Sequence, residues 1–318
     1  MYLIIPFYNI YFFSFFLIMK KALLIGINYI QTNISLNGCI EDVVSMNTML
    51  KDVYKYDQVT ILRDDITNSP TTQPTRNNII TALTQLIVDS VNCSEIWIHY
   101  SGHGTRVRDV NGDEVSGLDS VLVPIDYMTA GLIVDDVLYT IIQHSKCKTI
   151  ILMDSCNSGT VIDLPWSYTI VTSNSYRRSL NNRYNLLNSQ IYMFSGCKDN
   201  QTSADTFSIQ LGKYVGAFTF AFLTCLKNAN YNISLLRLYR DICVFLSKNR
   251  YSQIPMYSSS SSNPLAVTAA LSLPPPPPIV TNPTTNVIKD LLNTSIVVAK
   301  NNSTITQDNA NIFKIRFT

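Results

Sequence analysis

Short apolar runs alternate along the chain with longer amphipathic stretches, and this pattern limits the fold more than any other feature of the sequence. The apolar runs are rich in Ile, Leu and Val, which suits strands of a parallel sheet that are buried on both faces. The predicted strands are Lys21–Asn28, Gln58–Leu62, Glu95–Tyr100, Lys148–Met153 and Gln190–Phe194. The predicted helices are Ile40–Asp52, Thr75–Val91, Asp136–Ser145, Ala217–Lys227 and Ile233–Ser247. The alternation indicates an α/β domain with a mostly parallel central sheet.

Two long stretches do not follow this pattern. Gly104–Val134 is rich in Gly and Asp, and Gly159–Asn188 is polar with scattered aromatic residues, so both are predicted to be irregular loops. Five consecutive prolines, Pro274–Pro278, are typical of a semi-rigid linker. We therefore expect an apolar extension over residues 1–19, one folded domain over residues 20–272, and a Pro-rich linker with a C-terminal tail over residues 273–318.

Composition excludes several classes of protein. Of the 318 residues, 46% are apolar, which is typical of a chain that folds and excludes collagen-like, coiled-coil and polytopic membrane classes. Lys and Arg number 24 against 22 Asp and Glu, with no long basic run, so nucleic acid is not an expected partner. The seven cysteines form no CxxC pair, which excludes a thioredoxin motif and a zinc ribbon and favours a reducing, cytoplasmic compartment.

The first nineteen residues are almost entirely apolar and allow three interpretations. They are long enough for a membrane anchor, but no basic segment precedes them and no small-residue cleavage site follows. Lys20 leads directly into the first predicted strand, which leaves no linker between a membrane and the sheet. A start at Met19 and an unusual packed extension are the other interpretations. Membrane contact is expected only through these residues.

Potential catalytic residues follow two of the predicted strands. His103 comes directly after Glu95–Tyr100 within Ser101-Gly102-His103-Gly104, and Cys156 comes directly after Lys148–Met153. The carboxyl ends of neighbouring parallel strands share one crevice, so His103 and Cys156 meet there if these strands are neighbours. An imidazole beside a thiol activates it as a nucleophile, and the backbone N–H groups of Gly104 and Cys156 are candidates to bind the oxyanion. The pattern predicts a Cys–His catalytic dyad.

Nine segments, in the order in which they occur, resemble the metacaspases, the caspase-like cysteine peptidases of plants, fungi, protists and some viruses. The resemblance runs from about Lys21 to Ser262, and the spacing of 53 residues between His103 and Cys156 matches that of caspases. The segments are KALLIGINY, LNGCIEDV, HYSGHG, GLDSVLVPID, IVDD, DSCNSGTVIDLP, SGCKDNQTSAD, GAFTFAFL and YSQIP. The resemblance implies a caspase-like α/β/α sandwich, a Cys–His dyad, a thioester intermediate, cleavage of proteins or peptides after Arg or Lys, and a monomer. Within the family, the chain is expected to be a catalytic domain like that of type I members, without their usual prodomain.

A basic side chain of the substrate needs carboxylates in its pocket, because an unpaired buried charge is costly. Asp42 and Asp154 both lie at the predicted crevice, Asp154 only two residues before Cys156. In the family, the positions that match Cys39, Asp42, Ser101 and Asp154 line the primary specificity pocket. The alternative role for Asp42 is capping of a helix.

A second set of carboxylates follows other predicted strands. Oxygen-rich groups of this kind suit calcium, although loop aspartates are also commonly just solvated. By resemblance to the family, an activating calcium ion is held by Asp119, Asp135, Asp136 and Asp163.

One residue of the chain departs from the family pattern, and three others are candidate sites of self-cleavage. Asn157 occupies a position where the family usually has a second, non-catalytic His, so we expect altered substrate contacts and not inactivity. Arg177, Arg178 and Arg183 lie in the stretch after Cys156 and are candidate sites of self-cleavage, although basic residues are ordinary in a polar loop.

Two alternatives to a peptidase share part of this sequence pattern. A non-proteolytic binding module on the caspase fold remains open if the N-terminal extension or the C-terminal tail blocks the crevice. A flavodoxin-like nucleotide-binding protein would share the pattern of strands and helices, but Gly26-Ile27-Asn28-Tyr29 matches neither phosphate-binding loop.

Overall fold

The computed structural model describes residues 19–66, 69–108, 117–155, 161–162, 164–172, 175–181, 186–188, 190–196, 205–208, 213–263 and 269–275. The chain divides into a unit that ends at Pro274 and a second that begins at Pro275. All strands and helices of the described residues belong to the first unit.

Strands and helices alternate through the described part of the chain. The strands are β1 (Met19–Gly26), β2 (Gln58–Arg63), β3 (Cys93–Ser101), β4 (Gly104–Arg108), β5 (Leu118–Leu122), β6 (Ile133–Val134), β7 (Lys148–Asp154), β8 (Trp166–Thr172), β9 (Ser175–Leu180), β10 (Ile191–Ser195), β11 (Asp205–Ser208), β12 (Lys213–Gly216), β13 (Ile233–Ser234), β14 (Met256–Ser259) and β15 (Ala270–Leu271). The helices are α1 (Cys39–Thr48, followed by a π turn over Met49–Val53), α2 (Arg76–Asp89), α3 (Tyr127–Ala130), α4 (Asp135–Ile142), α5 (Ala217–Asn228) and α6 (Leu235–Lys248). Each strand and helix predicted from the apolar pattern is present, with ends shifted by up to three residues when the π turn is counted with α1.

The central sheet has eight strands among the described residues, in the order β2-β1-β3-β7-β10-β14-β8-β9. The five predicted strands β2, β1, β3, β7 and β10 run parallel, and the last three strands are antiparallel to their neighbours. β3 and β7 are neighbours, which confirms the arrangement that the predicted dyad requires.

Both faces of the sheet are covered by helices. Alternation along β3 sends Trp97 into a core with α1, α5 and α6, and sends Ile96 and Ile98 into a core with α2 and α4. Trp97 packs edge-on against Phe222 of α5, with ring centroids 5.9 Å apart, which adds about 1 kcal/mol to the free energy of its burial. The result is the predicted α/β/α sandwich.

The prediction that Gly104–Val134 and Gly159–Asn188 are irregular is wrong. β4, β5 and β6 form a small antiparallel sheet within the first stretch, and β8 and β9 form a hairpin within the second. The Gly and Asp content of the first stretch gave no indication of these three short strands. In the second, Trp166-Ser-Tyr-Thr-Ile-Val-Thr172 is rich in aromatic and β-branched residues, which favour a strand even without a continuous apolar run.

Residues 1–18 and 276–318 lie outside the described residues, so the predicted extension and tail stay predictions. β1 already begins at Met19, where it pairs with Cys93 of β3. Within the described ranges, the structure contains no helix both long and apolar enough to cross a membrane.

A largely buried ion cluster lies where β3 and β7 begin. Glu95 binds the Lys148 ammonium at 2.6 Å, and the Lys20 ammonium lies 3.8 Å from the same carboxylate. The Tyr56 hydroxyl donates to Glu95 Oε1 at 2.8 Å. These contacts link β1, β3 and β7 at the amino-terminal ends of these strands. The carboxyl ends, where the candidate catalytic residues follow, are about 20 Å away.

Glu95→Ala is expected to lower the free energy of unfolding by about 3 kcal/mol, because it leaves the Lys148 ammonium buried without this carboxylate. The control is Arg237→Ala, which breaks a surface ion pair with Asp241 and is expected to cost less than about 1 kcal/mol. Urea denaturation followed by circular dichroism measures both. Equal losses in the two variants would contradict a structural role for the cluster.

Candidate active site

The carboxyl ends of β3 and β7 lie side by side. Ser101 is the register partner of Asp154, and the Gly102 N–H donates to the Asp154 carbonyl at 3.3 Å. His103 follows β3 by two residues. Cys156 follows β7 by two residues and lies outside the described residues. The structure therefore describes the histidine side of the predicted dyad and the ends of both strands.

Asp42 and Ser101, two of the predicted pocket residues, are in direct contact. Asp42 lies on α1 and is only 1% exposed. Its Oδ2 accepts from the Ser101 hydroxyl at 2.7 Å, and its Oδ1 accepts from the Gly216 N–H at 2.9 Å. Hydrogen bonds to an ionised carboxylate favour the charged form, which compensates in part for its burial.

Asp154 is held by the start of α5. Its Oδ2 accepts from both the N–H and the hydroxyl of Thr219, at 2.9 Å and 2.8 Å. Thr219 is the third residue of α5, so the carboxylate also lies at the positive end of the helix dipole. Asp154 is 4% exposed.

The two carboxylates converge on Gly216. A Cβ at Gly216 would lie 2.3 Å from Asp154 Oδ2 and 2.5 Å from Asp42 Oδ2, so these two oxygens are within about 4.8 Å of each other. Only a residue without a side chain fits between them. Such a pair of buried carboxylates suits a cation, because each is repelled by the other and attracted by a positive charge.

Cys39, the fourth predicted pocket residue, is the first residue of α1 and is buried. Its N–H donates to the Asn28 side-chain oxygen at 3.0 Å, which joins the start of α1 to the end of β1. Cys39 lies one helical turn before Asp42.

His103 is half-buried, and one nitrogen of its ring has a definite partner. Nε2 lies 2.7 Å from the carbonyl oxygen of Ile34, in the loop between β1 and α1. Since a carbonyl oxygen only accepts, Nε2 must carry the proton, and in the neutral ring Nδ1 is then the basic nitrogen. The ring also packs on Tyr29, with centroids 4.7 Å apart.

His99, two residues from Ser101 on β3, is a different kind of histidine. It is fully buried, and its Nδ1 lies 3.2 Å from the Leu152 carbonyl oxygen. Burial lowers the pKa of His99 to about 4, so its ring is neutral at physiological pH. His99 is therefore a core residue, and His103 is the accessible imidazole of the HYSGHG segment.

The structure places Gly104 at the start of β4, where it pairs with Leu122 of β5. Gly104 is thus fixed directly beside His103. The second predicted contributor to the oxyanion site is the backbone of Cys156, outside the described residues.

Two of the four predicted calcium ligands are buried next to the β5–β6 pairing. Asp119 lies on β5, and Asp135 begins α4 directly after β6. Asp135 accepts from the N–H groups of Ser120 and Asp136, at 2.6 Å and 3.1 Å. Asp136 is half-buried, and Asp163 lies outside the described residues. Within the described ranges, no group of three or more His, Cys, Asp or Glu side chains could hold a metal ion.

Sequence reasoning missed Gly216, Thr219, the Ile34 carbonyl and Tyr29. The predicted helix start at Ala217 could have indicated a role for Thr219, since the N–H and hydroxyl groups in the first turn of a helix can face an anion. The contact between His103 and the Ile34 carbonyl could not be predicted from the sequence, because every residue has the same backbone carbonyl.

Several known proteins resemble this chain in sequence along most of its length. Residues 20–165 match the family described as metacaspase, peptidase C14 domain. Metacaspase-1 of Schizosaccharomyces pombe is 34% identical, over 80% of this chain and 70% of that protein. Metacaspase-1B of Aspergillus oryzae is 36% identical, over 76% of this chain and 68% of that protein.

Solved structures are similar in fold. Caspase-1 from Spodoptera frugiperda has a TM-score of 0.51 and 13% identity, and covers 77% of this chain and 89% of that chain. Protein GSU0716 from Geobacter sulfurreducens has a TM-score of 0.54 and 23% identity, and covers 77% of this chain and 94% of that chain. With a caspase-like fold and relatives of this identity along most of its length, the chain belongs to the metacaspases, a family of cysteine-type endopeptidases.

Proposed function

We propose that this metacaspase is a calcium-activated endopeptidase that cleaves after Arg or Lys through Cys156 and His103. The observation that carries the proposal is the convergence of two buried carboxylates, Asp42 and Asp154, at the ends of the strands that lead to these two residues. A carboxylate pair selects a cationic side chain of the substrate. Its position beside the dyad selects the peptide bond that follows.

His103 acts as the base and then as the acid. With Nε2–H bound to the Ile34 carbonyl, Nδ1 takes the proton of the Cys156 thiol. The thiolate attacks the carbonyl carbon, and the C–N bond breaks as His103 returns the proton to the leaving amine. The thioester that results is hydrolysed by water, whose proton passes through His103, and the free thiol is restored. The N–H groups of Gly104 and Cys156 bind the oxyanion in both steps.

The pocket distinguishes substrates by charge. A guanidinium or ammonium group between Asp42 and Asp154 relieves the repulsion between two buried carboxylates, so binding is favourable. An Asp of the substrate would add a third negative charge to the same place. A neutral side chain of equal length would bring no positive charge to the two carboxylates.

Calcium is proposed to bind through Asp119, Asp135, Asp136 and Asp163. The donor chemistry fits, because Asp119 and Asp135 bring buried carboxylate oxygens from two adjoining segments, and calcium prefers such ligands. When bound, calcium supplies positive charge that offsets the repulsion between these carboxylates. β5, which carries Asp119, is followed by Val123, whose N–H donates to the His103 carbonyl at 3.2 Å. Ordering of β5 therefore fixes the backbone of His103.

Self-processing is proposed at Arg183 in preference to Arg177 and Arg178. Arg177 and Arg178 belong to β9, which is paired with β8, and the Arg178 side chain donates to the Ser262 carbonyl at 2.7 Å. Cleavage next to either residue would require this pairing to open. Arg183 follows the end of β9 by three residues in the sequence and lies outside the described residues.

Cys156→Ala and His103→Ala are each expected to lower kcat for a fluorogenic peptide with Arg before the scissile bond by at least about 100-fold. His144→Ala, which removes a histidine outside the site, is the control and should retain activity. Full activity of Cys156→Ala would contradict the dyad. An inactive wild-type enzyme that still binds Arg peptides would favour the non-proteolytic module.

Asp154→Asn is expected to lower kcat/KM for an Arg peptide by about 100-fold or more, while the same peptide with neutral citrulline changes little, because the lost interaction is with the charge. Thr219→Val removes one donor to Asp154 and should reduce the preference for Arg over citrulline by about tenfold. Thr219→Ser retains the hydroxyl and serves as the matched control. An equal loss for both peptides would contradict a role of these residues in selecting charge.

Activity is expected to require added calcium and to disappear with a chelator. Asp135→Asn removes one negative charge from the proposed ligand set, so the calcium concentration for half-maximal activity should rise at least about tenfold. The exposed Asp52→Asn serves as the control and should leave this concentration unchanged. An identical calcium dependence of Asp135→Asn and wild type would contradict the assignment.

A further inference from the structure

Two buried tyrosines lie directly beneath His103. Tyr29 follows β1, and Tyr100 is the penultimate residue of β3. Both side chains are completely buried, at 0% exposure. Tyr29 also has a backbone φ of 49°, in the left-handed region that a residue with a bulky side chain rarely adopts. The loop thus accepts backbone strain to keep this side chain in place.

The two phenols bind both polar groups of the His103 backbone. The His103 N–H donates to the Tyr29 hydroxyl oxygen at 3.0 Å, and that hydroxyl donates in turn to the Val123 carbonyl at 2.6 Å. The Tyr100 hydroxyl donates to the His103 carbonyl at 2.7 Å. The Tyr29 ring packs against the imidazole itself. His103 is therefore held at its N–H, at its C=O and at its ring.

Gly102 shows how closely the phenols approach the chain at this point. A Cβ on Gly102 would lie 2.8 Å from the Tyr100 hydroxyl oxygen and 3.2 Å from that of Tyr29. The space that any other residue would need is occupied by the two hydroxyl groups. The glycine before the histidine is thus explained by the close approach of the two phenols.

The chemical state of Tyr29 suits this task. Burial, with a contribution from neighbouring Tyr100, raises the pKa of Tyr29 far above its ordinary value. The side chain therefore remains a neutral phenol, which can accept from the His103 N–H and donate to Val123 at the same time.

We propose that Tyr29 and Tyr100 are positioning residues that hold His103 in the orientation required for proton exchange with Cys156. The inference rests on the proposed function, because it assumes that His103 is the catalytic base. Removal of either hydroxyl takes away one hydrogen bond to the His103 backbone and lets the imidazole move relative to the thiol, and a shift of about 1 Å can cost about 100-fold in rate. Binding of the substrate side chain, which depends on Asp42 and Asp154, is not affected by this shift.

The test uses Tyr29→Phe and Tyr100→Phe in the full chain, each of which removes one hydroxyl and keeps the ring. The matched control is Tyr56→Phe, which removes an equally buried hydroxyl at the opposite edge of the sheet, where it binds Glu95. We expect kcat for an Arg peptide to fall about tenfold or more in the first two variants, with KM within about twofold of wild type. Tyr56→Phe should lower the melting temperature comparably and leave kcat within about twofold.

A second measurement separates positioning from a general effect on folding. The rate of alkylation of Cys156 by iodoacetamide, read by peptide mass spectrometry, reports the thiolate that His103 stabilises. Tyr29→Phe and Tyr100→Phe should slow this rate in the wild-type background and have no further effect in His103→Ala. An equal slowing with and without His103 would overturn the inference.

The outcomes also distinguish this inference from the proposed function. If His103→Ala is inactive while Tyr29→Phe and Tyr100→Phe are as active as Tyr56→Phe, the positioning role is wrong and the dyad stands. If His103→Ala retains full activity and a normal alkylation rate, the dyad is wrong, and the positioning role fails with it. The two tyrosine variants each remove a hydrogen bond to a different group of the His103 backbone, so each tests the inference independently of the other.

Discussion

Parallel pairing of β3 with β7 sets Ser101 opposite Asp154, and the described parts of the active site are arranged around this pair. The register follows from the two apolar runs, because a shift of one residue would turn every side chain of a strand to the other face. With this register in place, the chain leaves β3 towards His103 and leaves β7 towards Cys156. The central strands thus determine where the proposed chemistry takes place.

The pocket depends on a balance of charges that the fold maintains. Asp42 and Asp154 are buried within about 4.8 Å of each other, an arrangement that would be unfavourable without compensation. Compensation comes from Ser101, the Gly216 N–H and the start of α5, which all donate to the two carboxylates. In the proposed function, these contacts prepare the two carboxylates for a cationic side chain before substrate arrives, which would reduce the reorganisation that binding requires.

Residues with a strong local signal could be predicted from the sequence. The five parallel strands, the helices, and the positions of Asp42, Ser101 and His103 at one edge of the sheet follow from periodicity, the parallel-sheet rule and the resemblance of the motifs. β4, β5 and β8 were missed because polar and Gly-rich sequence can form strands when a neighbour supplies the hydrogen bonds. β14, which runs antiparallel between β10 and β8, was also not predicted. β14 forms only by pairing with β10 and β8, which are distant from it in the sequence.

The contacts that orient the site were less accessible to sequence reasoning. Thr219 reaches Asp154 across 65 residues, and Tyr29 reaches His103 across 74. The Ile34 carbonyl could belong to any residue at that position. Periodicity and motif spacing predict strands and helices. They do not predict side-chain or backbone contacts between segments that are distant in the sequence. These contacts determine which nitrogen of His103 is basic and where the substrate charge is proposed to bind.

The central claim is that Cys156, His103 and the two carboxylates form one site, and covalent labelling tests it most directly. A peptidyl chloromethyl ketone with Arg at the reactive end should attach to Cys156 by peptide mass spectrometry, and attachment should be lost in His103→Ala and strongly reduced in Asp154→Asn. The same reagent with Asp at that end should leave the protein unlabelled. Attachment to another cysteine, or equal labelling by the Arg and Asp reagents, would contradict the account.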